Sequence, residues 1–469
     1  MPIPNERPGR PARIGLPRRF HILTFGCQMN AYDSGRLGDL LRFEGWAEAA
    51  ALEDADFIFL NTCSIREKAE KRVIARLRSI LPLKKGKPSL VVGVGGCVAE
   101  QEGRALLGLF PQLDIVAGPR RISEIPSLLR PNSDRQFPVV LSGDAQEGGP
   151  GDVPGLPPVP PRVLRQTGPT AFLTIMEGCD NHCAYCVVPR LRGPERSRDP
   201  ADVLREAAGL VARGAVEITL LGQNVNSYRP RGSDGMGPGI PFVRLIKAMA
   251  SALDVRRLRF TTSHPRDFPP ELTRLFAEES VLAPHVHLPL QSGSDRTLWA
   301  MGRGYSYKEY LAVLKGLREA NEGIAVSTDI IVGFPGESEE DFDLTLKAME
   351  EIRFDSAFCF RYSDRPGTRA QAMPWKVPEA DKASRLQRLI ALQKEIGAGI
   401  NRGLLGTVQE VLVEGRGREP GQLSGRTGGN KIVNFQGPDR YLGDFASVRI
   451  LRTGPVSLLG GLPGGREGA

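Results

Sequence analysis

The chain has 469 residues, 41% of them apolar and 25% charged, and 62 Lys and Arg against 54 acidic residues give a net charge of +8. That composition excludes a disordered chain, and seven cysteines in such a length exclude a disulfide scaffold, leaving room for two or three domains with cores of their own. No uninterrupted apolar stretch is long enough to span a bilayer. The basic start MPIPNERPGRPARIGLPRR lacks the apolar segment of a secretory signal, so a cytoplasmic protein with no membrane association is expected. The positive balance permits a nucleic-acid partner without proving one.

Residues 1–18, rich in Arg and Pro, read as a flexible basic tail. Short apolar runs then alternate with helical patterns: HILTF (21–25), DFIFL (56–60) and SLVVGV (89–94) as buried parallel strands, with an amphipathic segment at 64–80 between two of them. This alternation predicts an open parallel α/β sheet over 19–140. The run SGDAQEGGPGDVPGLPPVPP cannot pack and predicts a linker over 141–162. A second series follows, with strands at 171–176, 217–221, 257–262, 285–290, 325–334 and 356–362, and a helix opening at the N-cap-like Ser306. Six βα units are too few for a closed eight-stranded barrel, so residues 163–402, ending in a long helix at 379–402, are expected to form an open, partial (β/α)6 barrel. From 403 to 465, β-like runs between Gly-rich turns predict a small, OB-like β-barrel. The fold class is thus α/β with a C-terminal β-barrel module.

The cysteines fall into two patterns. Cys179, Cys183 and Cys186 form GCDNHCAYC, a C-x3-C-x2-C spacing directly after the first strand of the second series, where active sites of such barrels lie. Three thiolates would hold three irons of a cubane and leave the fourth open to a non-protein ligand. A partial zinc site with His182 is the alternative, although zinc prefers paired C-x2-C knuckles. Cys27, Cys63 and Cys97 each stand just past the carboxyl end of a predicted parallel strand, about one βα unit apart, so three thiols could converge on one crevice. Cys359, inside the alternating strand SAFCFRY, reads as core.

These strings resemble a known family. GCDNHCAYC resembles the signature of radical S-adenosylmethionine enzymes, and EGCDNHCAYCVVPRLRGPERSR is similar to that of methylthiotransferases. FGCQMNAYDS around Cys27 and NTCSIREKAEKRV around Cys63 resemble that family's N-terminal domain, and GRTGGNKIVNF resembles the start of its TRAM domain, with Gly429 where a polar or basic residue is expected. The similarity runs from His21 to about Leu458 and is greatest to the members that act on N6-(dimethylallyl)adenosine beside the tRNA anticodon.

The resemblance implies two [4Fe-4S] clusters. Cys179, Cys183 and Cys186 would hold the one whose open iron binds S-adenosylmethionine and yields a 5′-deoxyadenosyl radical. Cys27, Cys63 and Cys97 would hold an auxiliary cluster that handles the sulfur. One S-adenosylmethionine methylates that sulfur, and a second removes hydrogen from C2 of the adenine, which then takes the methylthio group. Tyr185 is implied near the adenine of the cofactor. Gln223 and Asn224 in LGQNVNSY, Ser263 beside His264 in TSHP, Gln291 beside Ser292 in LPLQSGSD, and Gly333 and Gly336 in GFPGE are nominated as further S-adenosylmethionine contacts at strand ends, where turn chemistry alone is the competing reading. For RNA, Arg190 and Arg192 in a basic loop that also carries Arg196 and Arg198, and Arg426, Lys431 and Phe435 (with Asn430) in the C-terminal barrel, are the candidate contacts. The expected partners are a tRNA anticodon stem-loop and a low-potential electron donor such as flavodoxin or ferredoxin, with the enzyme acting as a monomer. Methylthiolation of threonylcarbamoyladenosine or of a ribosomal-protein aspartate, and a non-catalytic iron–sulfur regulator that binds RNA, are the competing functions.

Overall fold

The computed structural model describes residues 18–63, 67–130, 136–143, 168–233, 235 and 239–463, with the backbone alone at 67–71. The expected tail and linker lie outside these residues except for 18 and 141–143, as do Ser64 and residues 464–465. The chain divides into two compact units, Met1–Arg165 and Gln166–Ala469.

In the first unit, β1 (Arg19–Thr24), β2 (Ala47–Glu48), β3 (Phe57–Thr62), β4 (Val91–Gly96), β5 (Ile115–Ala117) and β6 (Val139–Leu141) form one parallel sheet in the order β2-β1-β3-β4-β5-β6. β3 and β4 are buried along their whole length, as strands covered on both faces must be, which explains their continuous apolar runs. Ile58, Leu60, Val92 and Val94 pack with Val73 and Leu77 of the helix Glu67–Ile80 on one face. Phe57, Phe59 and Val91 pack with Leu37 and Leu41 of the helix Gln28–Phe43 on the other. β2, β5 and β6 are too short to print a pattern in the sequence.

The second unit opens with β7 (Thr170–Thr174), followed by a short antiparallel pair, β8 (Met176–Glu177) and β9 (Arg196–Ser197). β10 (Glu217–Leu221), β11 (Arg257–Phe260), β12 (His285–His287), β13 (Ala325–Val332) and β14 (Ser356–Arg361) complete the six predicted barrel strands. They pair in parallel as β11-β10-β7 and β12-β13-β14. Between β11 and β12 the ladder is interrupted, and Ser263 N–H reaches His287 O at 3.4 Å instead. Helices cover the outside. Tyr307–Ala320 begins with a reciprocal capping box between Ser306 and Glu309, as the sequence suggests, and the long helix runs from Glu379 to Arg402. Cys359 departs from expectation: on the end strand β14 it is half-buried rather than core, and its surroundings push the thiol up to about 12.

At the C-terminus, β15 (Val408–Arg416), β16 (Gln422–Thr427), β17 (Ile432–Gln436), β18 (Phe445–Thr453) and β19 (Ser457–Gly461) close into a barrel in the order β15-β16-β17-β19-β18. Val411, Val413, Leu423, Val433, Phe435 and Val448 fill it. This module seats against the amino ends of the (β/α)6 strands through buried arginines of β11. Arg259 donates to the carbonyls of Thr427 and Gly428, both at 2.8 Å, and lies 3.0 Å from Glu217. Arg257 bridges Glu217 and Glu410 and stacks on Phe445. No described helix is long and apolar enough to cross a membrane.

Candidate active site

In the first unit the three cysteines follow three adjacent strands. The register pairs Thr24 with Asn61, and Thr62 with Gly96, so the chain leaves β1, β3 and β4 at one edge and enters Cys27, Cys63 and Cys97 there. The turn is tight. A Cβ on Gly26 (φ +139°) would stand 2.5 Å from Cβ of Cys63, and one on Gly96 (φ +89°) 2.2 Å from the Thr62 carbonyl, so only glycine lets these segments meet. Cys27 is exposed at the N-cap of the sixteen-residue helix Gln28–Phe43, while Cys63 and Cys97 are buried. A helix N-terminus favours a thiolate.

Asn30 and Asn61, both fully buried, tie this edge together and were not legible as site residues. Asn30 donates to Asn61 Oδ1 and to the Thr62 carbonyl at 3.0 Å each, and accepts from the Cys27 thiol at 3.2 Å. Asn61 returns a bond to the Asn30 carbonyl and one to Ser34 Oγ. Asn61→Ala leaves the Asn30 amide and Ser34 short of partners. It is expected to cost about 2–4 kcal/mol and to lower the iron retained by this unit, read from thermal unfolding and iron analysis.

In the second unit Cys179 is buried, and Cys183 and Cys186 are half-buried. Burial pushes Cys186 up to about 12 and raises Cys179. Among the described residues no three His, Cys, Asp or Glu side chains are gathered closely enough to hold a single metal ion.

The strand ends around this loop carry an unusual set of buried polar atoms. Gln223 Oε1, Asn224 Oδ1, Ser263 Oγ, His264 Nε2 and Gln291 Oε1 have no hydrogen-bond partner among the described residues. Buried polar groups are usually satisfied, and five orphans gathered on neighbouring strand ends fit a polar ligand. The backbone agrees: Thr262 (φ +69°) and Gln291 (φ +75°) are non-glycine residues in the left-handed region, strain that collects at functional sites. His264 accepts from the Arg266 amide at Nδ1, so its proton sits on the orphan Nε2, and burial holds the ring neutral by lowering it to about 2. Three amide oxygens can thus accept from an ammonium or hydroxyls, while Ser263 and His264 can donate to a carboxylate. These are the polar groups of S-adenosylmethionine.

Ties link these strand ends to the cysteine loop. Arg266 donates to Asn181 Oδ1 at 2.6 Å, and Asn224 donates to Asp267. Glu195 accepts from Ser227 at 2.5 Å, and its amide donates to Asp180. Burial, with smaller contributions from Asp180 and Asp267, raises Glu195 to about 7 from an ordinary 4.5. The unfolded chain therefore releases this proton first, and stability falls as pH rises from about 4.5 through about 7. Glu195→Gln is expected to flatten that decline in the unfolding midpoint measured across this range.

Other candidates are placed differently. Tyr185 packs against the cluster of Ala184, Met301, Phe334, Tyr362 and Ala370, with its hydroxyl 3.4 Å from Arg303. The space over Gly333 is taken by the Lys382 stem, with a virtual Cβ 2.3 Å away, so its bareness serves packing rather than an adenine ring; Gly336 faces open space. Ser292 is bonded to Thr345 and belongs to the local scaffold.

The basic loop is largely turned inward, contrary to expectation. β9 pairs back onto β8, so Arg192 and Arg198 are buried, and Arg198 bonds Glu206 and the Thr174 carbonyl. Arg190 is exposed and donates to the Pro366 carbonyl. In the C-terminal barrel Phe435 is fully buried in the core, so its ring is not available to a base. Lys431 is held by Asp355 at 3.0 Å, bracing the barrel onto the core. Arg426 is half-exposed beside Glu414 and Asn430.

Three family models match the chain: the radical SAM superfamily at 173–349, the uncharacterized protein family UPF0004 at 19–118, and the TRAM domain at 402–462. The tRNA-2-methylthio-N(6)-dimethylallyladenosine synthase of Thiobacillus denitrificans is 44% identical over 452 residues, spanning 94% of this chain and 98% of that protein. That of Burkholderia mallei is 43% identical over 460 residues, 95% and 97% of the two chains. Among solved structures, the radical S-adenosylmethionine methyltransferase TsrM from Kitasatospora setae, with cobalamin and a [4Fe-4S] cluster bound, superposes with a TM-score of 0.55 at 15% identity, over 87% of this chain and 77% of that one, a likeness of fold. With near-full-length identity of this order, matching domains and both cysteine triplets at strand ends, the chain belongs to the tRNA-2-methylthio-N(6)-dimethylallyladenosine synthase family of radical S-adenosylmethionine enzymes.

Proposed function

We infer that the protein is a tRNA methylthiotransferase that converts N6-(dimethylallyl)adenosine to its 2-methylthio derivative, consuming two molecules of S-adenosylmethionine. The observation that carries the chemistry is the set of five unpartnered buried atoms at the strand ends beside the Cys179–Cys183–Cys186 loop. Those thiolates would hold a [4Fe-4S] cluster that, with S-adenosylmethionine, would supply a 5′-deoxyadenosyl radical, and Cys27, Cys63 and Cys97 would hold a second [4Fe-4S] cluster that carries or activates the sulfur.

The protein's own part is binding and orientation. Gln223, Asn224 and Gln291 offer carbonyl oxygens to the cofactor's ammonium and hydroxyls, while Ser263 and neutral His264 donate to its carboxylate. Fixing these groups before reaction holds the sulfonium in one orientation, the positional advantage that lets a reactive species form beside its target. Tyr185 closes the apolar side of the pocket. Arg190 and Arg426 are the exposed or half-exposed candidates for tRNA phosphates. The substrate region is the anticodon stem-loop, electrons come from a low-potential donor of flavodoxin or ferredoxin type, and the enzyme works as a monomer in the cytoplasm.

Expression of this chain in a bacterial strain lacking its own enzyme tests the reading. Nucleoside mass spectrometry of the tRNA is expected to show 2-methylthio-N6-(dimethylallyl)adenosine restored. Accumulation of the unthiolated nucleoside, with the protein present and its irons loaded, would count against it.

A further inference from the structure

One buried cation is not explained by the cofactor contacts above. Arg303, 5% exposed, lies in the segment MGRGY between Gly302 (φ +71°) and Gly304 (φ +70°), whose left-handed conformations turn its side chain inward. Nη1 donates to Cys183 Sγ at 3.3 Å and to the Tyr185 hydroxyl at 3.4 Å. Nη2 donates to the Pro289 carbonyl at 3.2 Å, and Nε to the Tyr305 hydroxyl at 3.1 Å. Tyr305 is itself fixed by the carbonyls of Pro289 and Leu290. All three of its nitrogens thus have partners, yet among the described residues no carboxylate pairs with this guanidinium. A buried charge without a counter-charge is costly, so the residue must serve something negative at the thiol it touches.

We propose that Arg303 is the fixed counter-charge of the iron–sulfur cluster on Cys179, Cys183 and Cys186, and that by donating to Cys183 Sγ it raises the cluster's reduction potential. The inference rests on the cluster assignment made above. Three thiolates outweigh the positive charge of an oxidised cubane, and one-electron reduction adds a further negative charge with no bond broken and no proton moved. A guanidinium held at a ligand sulfur stabilises the reduced form more than the oxidised one, because hydrogen bonds to sulfur and local charge set such potentials. The low-potential donor then delivers its electron against a smaller gap. Arg303 acts through Cys183 and is a positioning residue, and the tyrosine and carbonyl bonds give its charge a fixed place.

The test uses the full chain carrying Cys27→Ala, Cys63→Ala and Cys97→Ala, so that one cluster remains. After anaerobic reconstitution, iron content near four per chain checks the cluster assignment independently of the inference. The midpoint potential is then read by electron paramagnetic resonance during dithionite titration without S-adenosylmethionine. Arg303→Gln is expected to disfavour reduction at least tenfold, a shift of about 59 mV for one electron. Arg303→Lys, which keeps the charge, is expected to stay well inside that limit. An unshifted potential in R303Q overturns the proposal, including the case in which R303Q weakens only S-adenosylmethionine binding. If R303Q does not retain its irons, R303K decides: a near-normal potential supports a charge effect, and a tenfold shift overturns it.

Discussion

Replacing Cys186 with alanine is expected to abolish both 5′-deoxyadenosine release and methylthiolated tRNA, and to lower iron from about eight to about four per chain. The thiol lies in the half-buried part of a loop whose geometry depends on a few bonds: Ala184 N–H to Met301 O at 2.8 Å, Cys179 N–H to Gly193 O at 3.1 Å and Cys186 N–H to Cys183 O at 3.1 Å. A two-thiolate remnant would leave irons uncoordinated in a desolvated pocket, where water cannot replace a lost ligand without opening the apolar packing of Ala184, Met301 and Phe334. Activity should fall below detection, while the circular dichroism of the chain stays unaltered because no core side chain has been removed. Anaerobic assays with dithionite, scored by chromatography for 5′-deoxyadenosine and by mass spectrometry for the nucleoside, check both readouts together. Residual 5′-deoxyadenosine would move the radical-generating cluster away from this loop.

The second large effect separates the two halves of the chemistry. Cys63→Ala is expected to eliminate methylthio product while leaving 5′-deoxyadenosine release within about threefold of the unaltered enzyme. The reason is architectural. Cys63 follows β3 in the first compact unit, whereas Cys179, Cys183, Cys186 and the five unpartnered polar atoms belong to the second. Within its own unit Cys63 is buried against Gly26 and follows the Asn61–Asn30 network, so its loss removes one thiolate from the strand-end edge. Uncoupled cofactor cleavage without product is the signature to measure. Product formation at an undiminished rate would show that Cys63 holds no sulfur-handling cluster.

Much of this architecture is legible in the residues themselves. The barrel strands are readable because parallel, doubly covered strands are continuous apolar runs: Glu217–Leu221 coincides with its expected bounds, and the long helix Glu379–Arg402 lies about where its pattern places it. The cysteine spacing stands out because few chemistries other than a three-thiolate cluster use it. What the sequence hides is direction. KIVNF alternates, but alternation does not say which face points inward, and Phe435 was assigned to the wrong one. Lys431 and Arg198 read as surface charges because isolated cations usually are, yet each has a carboxylate partner, Asp355 from a distant segment and Glu206 from the following helix. Asn30, Asn61 and Arg303 carry little local signal for the same reason. Their significance lies in contacts across 31 and 120 positions of chain, which no local pattern encodes. A charged residue between two glycines, as in MGRGY, is the signal that could have drawn attention to Arg303.

The way the C-terminal barrel is seated alters how its removal must be interpreted. Arg257 and Arg259 spend hydrogen bonds on carbonyls at 426–428, and Glu410 and Phe445 complete their surroundings. A chain cut after Arg402 would expose two guanidiniums and Glu217 to water at the foot of the catalytic barrel, just where β11 and β12 lack a ladder. Weak turnover by such a truncated enzyme would report a loosened scaffold as much as a lost grip on tRNA. A single change such as Arg426→Ala keeps the carbonyls at 426–428 that hold Arg257 and Arg259, so it disturbs the seat less than truncation does.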